Sequence, residues 1–262
     1  MSENITFTVF TKLLNKPLPE LGRYVKDLGL DGVELPVRPG YPVDPDNISS
    51  ALPEAGKIFA DFGLKIGSVA GSIDEKTIAA CSEVGIPIIR ICVLIHKDMD
   101  YWKSIELHQK QWDKLIPALD KYGVSIGIQN HCDRCIANTA QMHSVLQNYD
   151  PKHICAVWDP AHNALQGEDV DLALDIIWPK MRMVNLKGGY YKRLSPPEAE
   201  VAKWDVYWTT GRQSRADWPW VVQELKKRNY TGNICLPCEY TDEEAVDRLI
   251  KDDIEFAKAL FA

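Results

Sequence analysis

The chain lacks any hydrophobic run long enough to cross a bilayer. About 20 consecutive apolar residues are needed, and the greasiest stretch, 85–95, is interrupted by Arg90. A basic excess is also missing: 30 Lys and Arg against 37 Asp and Glu leave a net charge of −7, with a pI near 5.4. Proteins that grip nucleic acid or membrane surfaces carry a basic surplus, so neither partner is expected. The opening MSENITFTVFTK has no basic region followed by an apolar core, so no signal peptide is expected. Low-complexity linkers are absent, so one domain over 1–262 is expected. No serine or cysteine hydrolase site is expected. Seven cysteines are an odd, scattered number, which suits a reducing cytoplasm better than a disulfide framework.

One cadence recurs. A helical pattern closes on Gly, and a β-branched run begins within a few residues: LGLDGVELP, FGLKIGSVAG, VGIPIIRICV, YGVSIGIQN and YTGNICLP. Glycine relieves the left-handed conformation at a helix end, and Val/Ile-rich runs of this length read as buried parallel strands. The pattern predicts strands at 5–10, 32–35, 65–69, 88–93, 125–129, 154–158, 183–187 and 233–239. Helices are predicted at 18–28, 48–62, 75–84, 102–121, 139–148, 172–178, 219–228 and 242–260. Eight alternating units of about 33 residues predict a single closed (β/α)8 TIM barrel. An open doubly wound sheet is disfavoured because no Gly-rich phosphate loop follows the first strand. The longest irregular stretch, 188–217, falls at the barrel's C-terminal face, where active sites of this fold sit.

Polar residues at strand ends are therefore the candidates: Glu34, Gln129, Asp159, Asn185 with Lys187, and Glu239. Alternation along a strand turns Ser125, Gly127 and Gln129 inward and Ile126 and Ile128 outward, as a polar pocket requires. By the same alternation Cys235, Pro237 and Glu239 share the inner face. The pairs Cys132-x2-Cys135 and Cys235-x2-Cys238 mimic a zinc knuckle, but they lie about 100 positions apart. Cys235 and Cys238 also point to opposite faces.

Four segments, GIQNH (127–131), VWDPAH (157–162), VNLKG (184–188) and CLPCEY (235–240), together with the tail GRQSRADWPWVVQELKKRNYTGN, resemble the xylose-isomerase-like barrel superfamily. That superfamily takes in sugar-phosphate isomerases, ketose 3-epimerases, inosose dehydratases and the endonuclease IV group. The resemblance implies one divalent metal held by Glu, Asp, His and Glu at the ends of strands five to eight. Carried onto this chain, the positions are Gln129, Asp159, Asn185 and Glu239, so two match and two are amides. Amide oxygens suit Mg or Mn better than Zn. His131 and His162 could supply nitrogen ligands in a rearranged site. The endonuclease branch uses further His ligands in the loop after strand seven, and 188–217 contains none.

The family's shared step removes a proton next to a carbonyl. With Gln129 in place of a carboxylate, Glu239 remains, with Lys187 or His162 as its catalytic partner. A metal-assisted isomerase, epimerase, lyase or dehydratase of a small sugar or keto-polyol is the expectation. The alternative is a catalytically weakened barrel that binds a sugar or serves as an accessory subunit. Tyr190, Tyr191, Trp204, Tyr207 and Trp208 with Lys192, Arg193, Arg212 and Arg215 make 188–217 a candidate sugar-binding lid or oligomer contact. Glu34, His131, Trp208, Arg212 and Arg215 are the expected substrate contacts.

Overall fold

The computed structural model describes residues 5–14 and 16–262; the first four residues of the stretch inspected for a signal peptide lie outside them. Eight strands run parallel: β1 (Ile5–Phe10), β2 (Gly32–Val37), β3 (Lys65–Gly71), β4 (Ile88–Cys92), β5 (Ser125–Gln129), β6 (Ile154–Trp158), β7 (Met181–Asn185) and β10 (Gly232–Leu236). They pair in chain order, and β10 closes on β1, with Ile5 opposite Gly232 and Val9 opposite Leu236. Between them lie α1 (Leu18–Asp27), α2 (Ile48–Asp61), α3 (Glu75–Val84), α4 (Tyr101–Tyr122), α5 (Thr139–Leu146), α6 (Pro160–Leu165), α7 (Val170–Ile177) and α8 (Trp218–Lys227), with α9 (Val246–Phe261) last. The closing glycines behave as expected: Gly85 and Gly123 end α3 and α4 with φ of 77° and 66°. Among the described residues, no helix is long and apolar enough to cross a membrane.

The core is divided by the barrel wall. Ile126 and Ile128 join the large apolar layer between strands and helices. Phe10, Ala70, Ile88, Val157, Met183 and Cys235 form a smaller plug inside the cylinder, below the mouth.

Three features depart from the pattern read in sequence. The stretch 188–217 is only partly irregular: β8 (Gly188–Arg193) and β9 (Trp204–Thr209) within it form an antiparallel hairpin projecting from the mouth. A short helix, α6, follows β6 directly. Finally, β7 and β10 stop two to three residues early, so Lys187 and Glu239 stand beyond the strand ends. Cys238 takes φ 53°, which breaks the alternation that placed Glu239 on the inner face by strand geometry. Cys235 still points inward and Cys238 joins the outer core.

Gly127 shows how tightly the plug is packed. A Cβ there would lie 2.6 Å from Val157 Cγ2 and 2.8 Å from Ile88 Cγ2. Both neighbours are buried and fixed, so Gly127→Ala is expected to cost about 1–3 kcal/mol by overpacking. Urea unfolding of the variant against the parent measures it, and an unchanged midpoint would contradict this packing.

Candidate active site

Two polar relays meet at the barrel mouth. The first starts at Glu34 on β2, which is fully buried. Arg90 on β4 binds it in bidentate fashion, Nε to Oε1 at 2.8 Å and NH2 to Oε2 at 2.7 Å, while Ser68 donates to Oε1 at 2.8 Å. Arg90 NH1 donates to Gln129 Oε1 at 2.5 Å, and Gln129 Nε2 donates to Asp159 Oδ2 at 2.8 Å. The reverse amide orientation would set N–H against guanidinium and oxygen against carboxylate, so the relay fixes which way Gln129 points.

Asp159 explains the D-P-x-H segment physically. Its Oδ1 caps α6, accepting from the backbone N–H of Ala161 at 2.9 Å and of His162 at 3.3 Å. Pro160 fills the first helical position, where a missing N–H costs nothing. His162 is thereby carried to the mouth one turn on. Asn130 clamps the backbone of Asp159 from both sides, at 2.7 and 2.9 Å. Burial pushes the Asp159 carboxyl up to about 6 despite the nearby Lys187.

The second relay is Lys12–Glu239–Lys187. Lys12 Nζ lies 2.8 Å from Glu239 Oε1, and Lys187 Nζ lies 2.7 Å from Oε2. Burial alone would raise Glu239, but the two ammoniums outweigh it and bring the carboxyl down to about 2. Lys187 is buried, with its ammonium 3.6 Å from the centroid of Trp208. Trp208 on β9 is fixed by Thr241, which accepts and donates across its backbone at 2.9 and 3.0 Å. Trp218 Nε1 donates to the Lys187 carbonyl at 3.0 Å, anchoring the chain where β7 ends.

Between the relays lies a small cavity of about 80 Å³ lined by Phe10, Lys12, Arg38, Arg90, Cys92, Gln129, His131, His162, Asn185, Pro237 and Glu239. That is below the roughly 300 Å³ at which small-molecule sites begin, so a sugar held there extends into the open mouth above. His131 and His162 lie with ring centroids 4.1 Å apart, and Trp208 meets His162 edge-on at 5.0 Å. His162 Nδ1 accepts from the Cys132 N–H at 3.0 Å, so Nε2 carries the proton of the neutral ring. Burial, with Lys187 and His131, holds the His162 imidazole well below its ordinary value of 6.5. Among the described residues, His162 Nε2 and Asn185 Oδ1 have no hydrogen-bond partner.

The structure thus brings Gln129, Asp159, Asn185, Glu239, Lys187, His162, His131 and Trp208 together. It does not bring Glu34 to the cavity wall; that carboxylate lies behind, bracing Arg90. Arg212 and Arg215, expected to contact substrate, are placed elsewhere. Arg212 stacks 3.9 Å from the Phe256 ring on the outer side, and Arg215 donates to the Ala164 carbonyl at 3.0 Å. Sequence reasoning missed Arg90, Lys12, Arg38 and Asn130. A lone arginine inside the β-branched run VGIPIIRICV was the available signal for Arg90. The chain does carry the letters G-x-S-x-G of a hydrolase nucleophile elbow, at 123–127. They span the α4-to-β5 junction rather than a strand-to-helix elbow, and Ser125 Oγ donates to the Lys152 carbonyl at the barrel's other end.

The donors present do not fit a divalent cation. The Gln129 oxygen is taken by Arg90. Asp159 spends one oxygen on α6 and the other on Gln129, and Glu239 spends both on ammoniums. Of the four positions only Asn185 offers an uncommitted oxygen. His131, Cys132 and His162 lie close enough to form a soft-metal cluster. However, His162 presents a proton rather than a lone pair, and burial pushes the Cys132 thiol up to about 12.

A closed parallel barrel with convergent polar residues at its C-terminal mouth is an enzyme scaffold in architecture. The chain belongs to the xylose isomerase-like TIM barrel family, whose model matches residues 23–260. It is 21% identical over 177 residues to inosose dehydratase of Mesomycoplasma hyopneumoniae strain 7448, a match taking in 63% of this chain and 55% of that protein. The chain therefore spans about half the length of the curated relatives it matches. Among solved structures it is similar to 3-keto-D-glucoside 4-epimerase from E. coli, with TM-score 0.71 and 14% identity over 97% of this chain and 99% of that one. It is also similar to D-psicose 3-epimerase from Clostridium cellulolyticum H10, with TM-score 0.74 and 12% identity over 98% and 99%. A third is the probable 3-DHS dehydratase of petrobactin synthesis from Bacillus anthracis, with TM-score 0.74 and 13% identity over 97% and 98%. At these identities the solved structures show the fold. All four relatives are named as enzymes, two dehydratases and two epimerases.

Two outcomes test the relays. Glu34→Ala leaves Arg90 as a buried, uncompensated charge and is expected to cost about 3–5 kcal/mol. The double replacement Glu34→Met with Arg90→Met should recover most of that loss in chemical denaturation. A double variant as unstable as the single one would refute the pairing. Because Glu239 is depressed from 4.5 to about 2, its ion pairs stabilise the fold above pH about 4.5. That contribution is lost as pH falls through about 2. The stability gap between parent and Glu239→Gln should close over that window in pH-dependent unfolding.

Proposed function

We propose that this chain is an enzyme that moves a proton at the carbon next to a carbonyl of a small keto-sugar or keto-polyol, as an isomerase, epimerase or dehydratase. The observation that carries this reading is the cavity wall around Glu239. An ionised carboxylate stands there beside one unpaired donor, His162 Nε2–H, and one unpaired acceptor, Asn185 Oδ1. A hydroxy-ketone offers the complementary pair. The relatives' names, an inosose dehydratase, a keto-glucoside epimerase, a psicose epimerase and a 3-DHS dehydratase, support the same substrate class.

In this reading His162 donates Nε2–H to the carbonyl oxygen, and being neutral it can do so across the working pH range. Asn185 accepts the adjoining hydroxyl. Glu239 takes the carbon-bound proton. A carboxylate held at about 2 is a weak base, so its basicity must rise as substrate arrives. Lys12 is the half-exposed partner of the two. A substrate oxygen that draws Lys12 away from Oε1 removes one lowering charge at the moment the carbonyl is polarised. Lys187, buried behind Glu239 and under Trp208, keeps the carboxylate oriented and acts as a positioning residue. The seven free cysteines accord with a reducing cytoplasm.

A panel of inososes, keto-glycosides and 2-ketoses in deuterated water, followed by proton NMR, tests this directly. Deuterium should enter next to the carbonyl, or an enone should form. Glu239→Gln should slow the exchange by about 10²–10⁴-fold, the usual contribution of a general base. Binding without exchange would favour a sugar-binding barrel instead, and full exchange in the variant would remove Glu239 from the chemistry.

A further inference from the structure

We infer that this barrel stabilises its reaction's oxyanion with its own side-chain cations, Lys12 and Arg38 backed by Arg90, in place of a divalent metal. The inference rests on the keto-sugar reading above. Three observations support it. First, the oxygens that a metal would need already accept from N–H donors at all but one of the four strand-end positions. Secondly, Glu239 already sits between two ammoniums at 2.8 and 2.7 Å, so a dication on that carboxylate would face both at close range.

Thirdly, three cations, Lys12, Arg38 and Arg90, line the one cavity. Arg90 lies 4.7 Å and Arg38 5.9 Å from the Phe10 ring centroid, and Lys12 follows directly after β1. Arg38 has no carboxylate partner among the described residues, and its side chain lines the cavity. When Glu239 accepts the proton, the C–H electron pair becomes a carbon–carbon double bond and the carbonyl π pair passes to its oxygen, giving an enediolate. That oxyanion then lies within a cavity whose cations are already in place, and the proton returns from Glu239 when the double bond reverts.

Oxalate, a planar dianion with the shape of an enediolate, is the probe. Chelator-treated protein should contain no stoichiometric metal by plasma mass spectrometry, and millimolar Mn2+ or Mg2+ should leave its melting temperature unchanged. Oxalate should raise the melting temperature in the presence of the chelator, because a ligand of the folded state stabilises it by mass action. Lys12→Met and Arg38→Met should each weaken oxalate about tenfold, read by calorimetry. Stoichiometric metal in untreated protein, or oxalate binding that needs added Mn2+, would overturn the inference and leave the sugar reading standing. Failure of oxalate under both conditions would also overturn it. Failure of every ketose to bind or exchange would instead sink the sugar reading and leave the metal result untouched.

Discussion

Arg90 carries its charge inside the barrel, with a side chain 7% exposed, and the surrounding residues are arranged to satisfy it. A buried guanidinium needs a carboxylate partner and acceptors for its remaining N–H groups. Glu34 supplies the first, and Gln129 supplies an acceptor. Because Gln129 turns its oxygen to Arg90, it turns its nitrogen to Asp159, and Asp159 then has one oxygen left to cap α6. A single charge on β4 therefore sets side-chain orientation on β2, β5 and β6 and, through the cap, the placement of His162. A glutamate at 129 would exchange this arrangement for a second ion pair. The glutamine keeps the relay neutral at its centre.

The second relay solves a different problem. Glu239 stands beyond the end of β10, after a residue in the left-handed region, so no strand geometry holds it. Two lysines hold it instead, from β1's end and from the segment after β7. The buried lysine is covered by an aromatic face that the β8–β9 hairpin delivers. This gives the hairpin a structural reason to leave the barrel where it does. It closes over Lys187 through Trp208 and exposes its outer half, including Leu194, Val201 and Trp204.

The barrel was legible in sequence because its signals are local. Gly-terminated helices and β-branched runs reflect backbone conformation and burial, which each segment expresses alone. Six of the expected strands begin where they are observed; Gln129, Asp159, Asn185, Lys187 and Glu239 were picked by the rule that strand ends line the mouth, and His162 by the family-like segment VWDPAH. The relays were not legible, because a buried ion pair depends on residues 56 positions apart meeting across the cylinder. The same strand-end rule, applied to β1 and β2, would have reached Lys12 and Arg38, which lie just beyond those strands. Arg212 and Arg215 were misplaced for the opposite reason. Their charge and aromatic neighbours suggested ligand binding, yet a hairpin sends alternate residues to opposite faces, and composition cannot say which face meets the cavity.

What the mouth has left uncommitted narrows its chemistry further. The polar atoms of Arg90, Gln129, Asp159 and Glu239 at the mouth have protein partners, and each such partner must be displaced before a ligand can use it. Asn185 Oδ1 has no hydrogen-bond partner, and His162 Nε2–H has none either, its nearest carboxylate oxygen being Asp159 Oδ2 at 3.7 Å. An unpaired donor and an unpaired acceptor, both buried, are expensive to leave unmade, so a ligand that satisfies both gains more than either bond is worth in water. A simple carboxylate satisfies the donor and not the acceptor; an alcohol in isolation can satisfy either but presents no acidic carbon. Adjacent carbonyl and hydroxyl groups satisfy both and place the carbon between them next to a carboxylate already stripped of its proton.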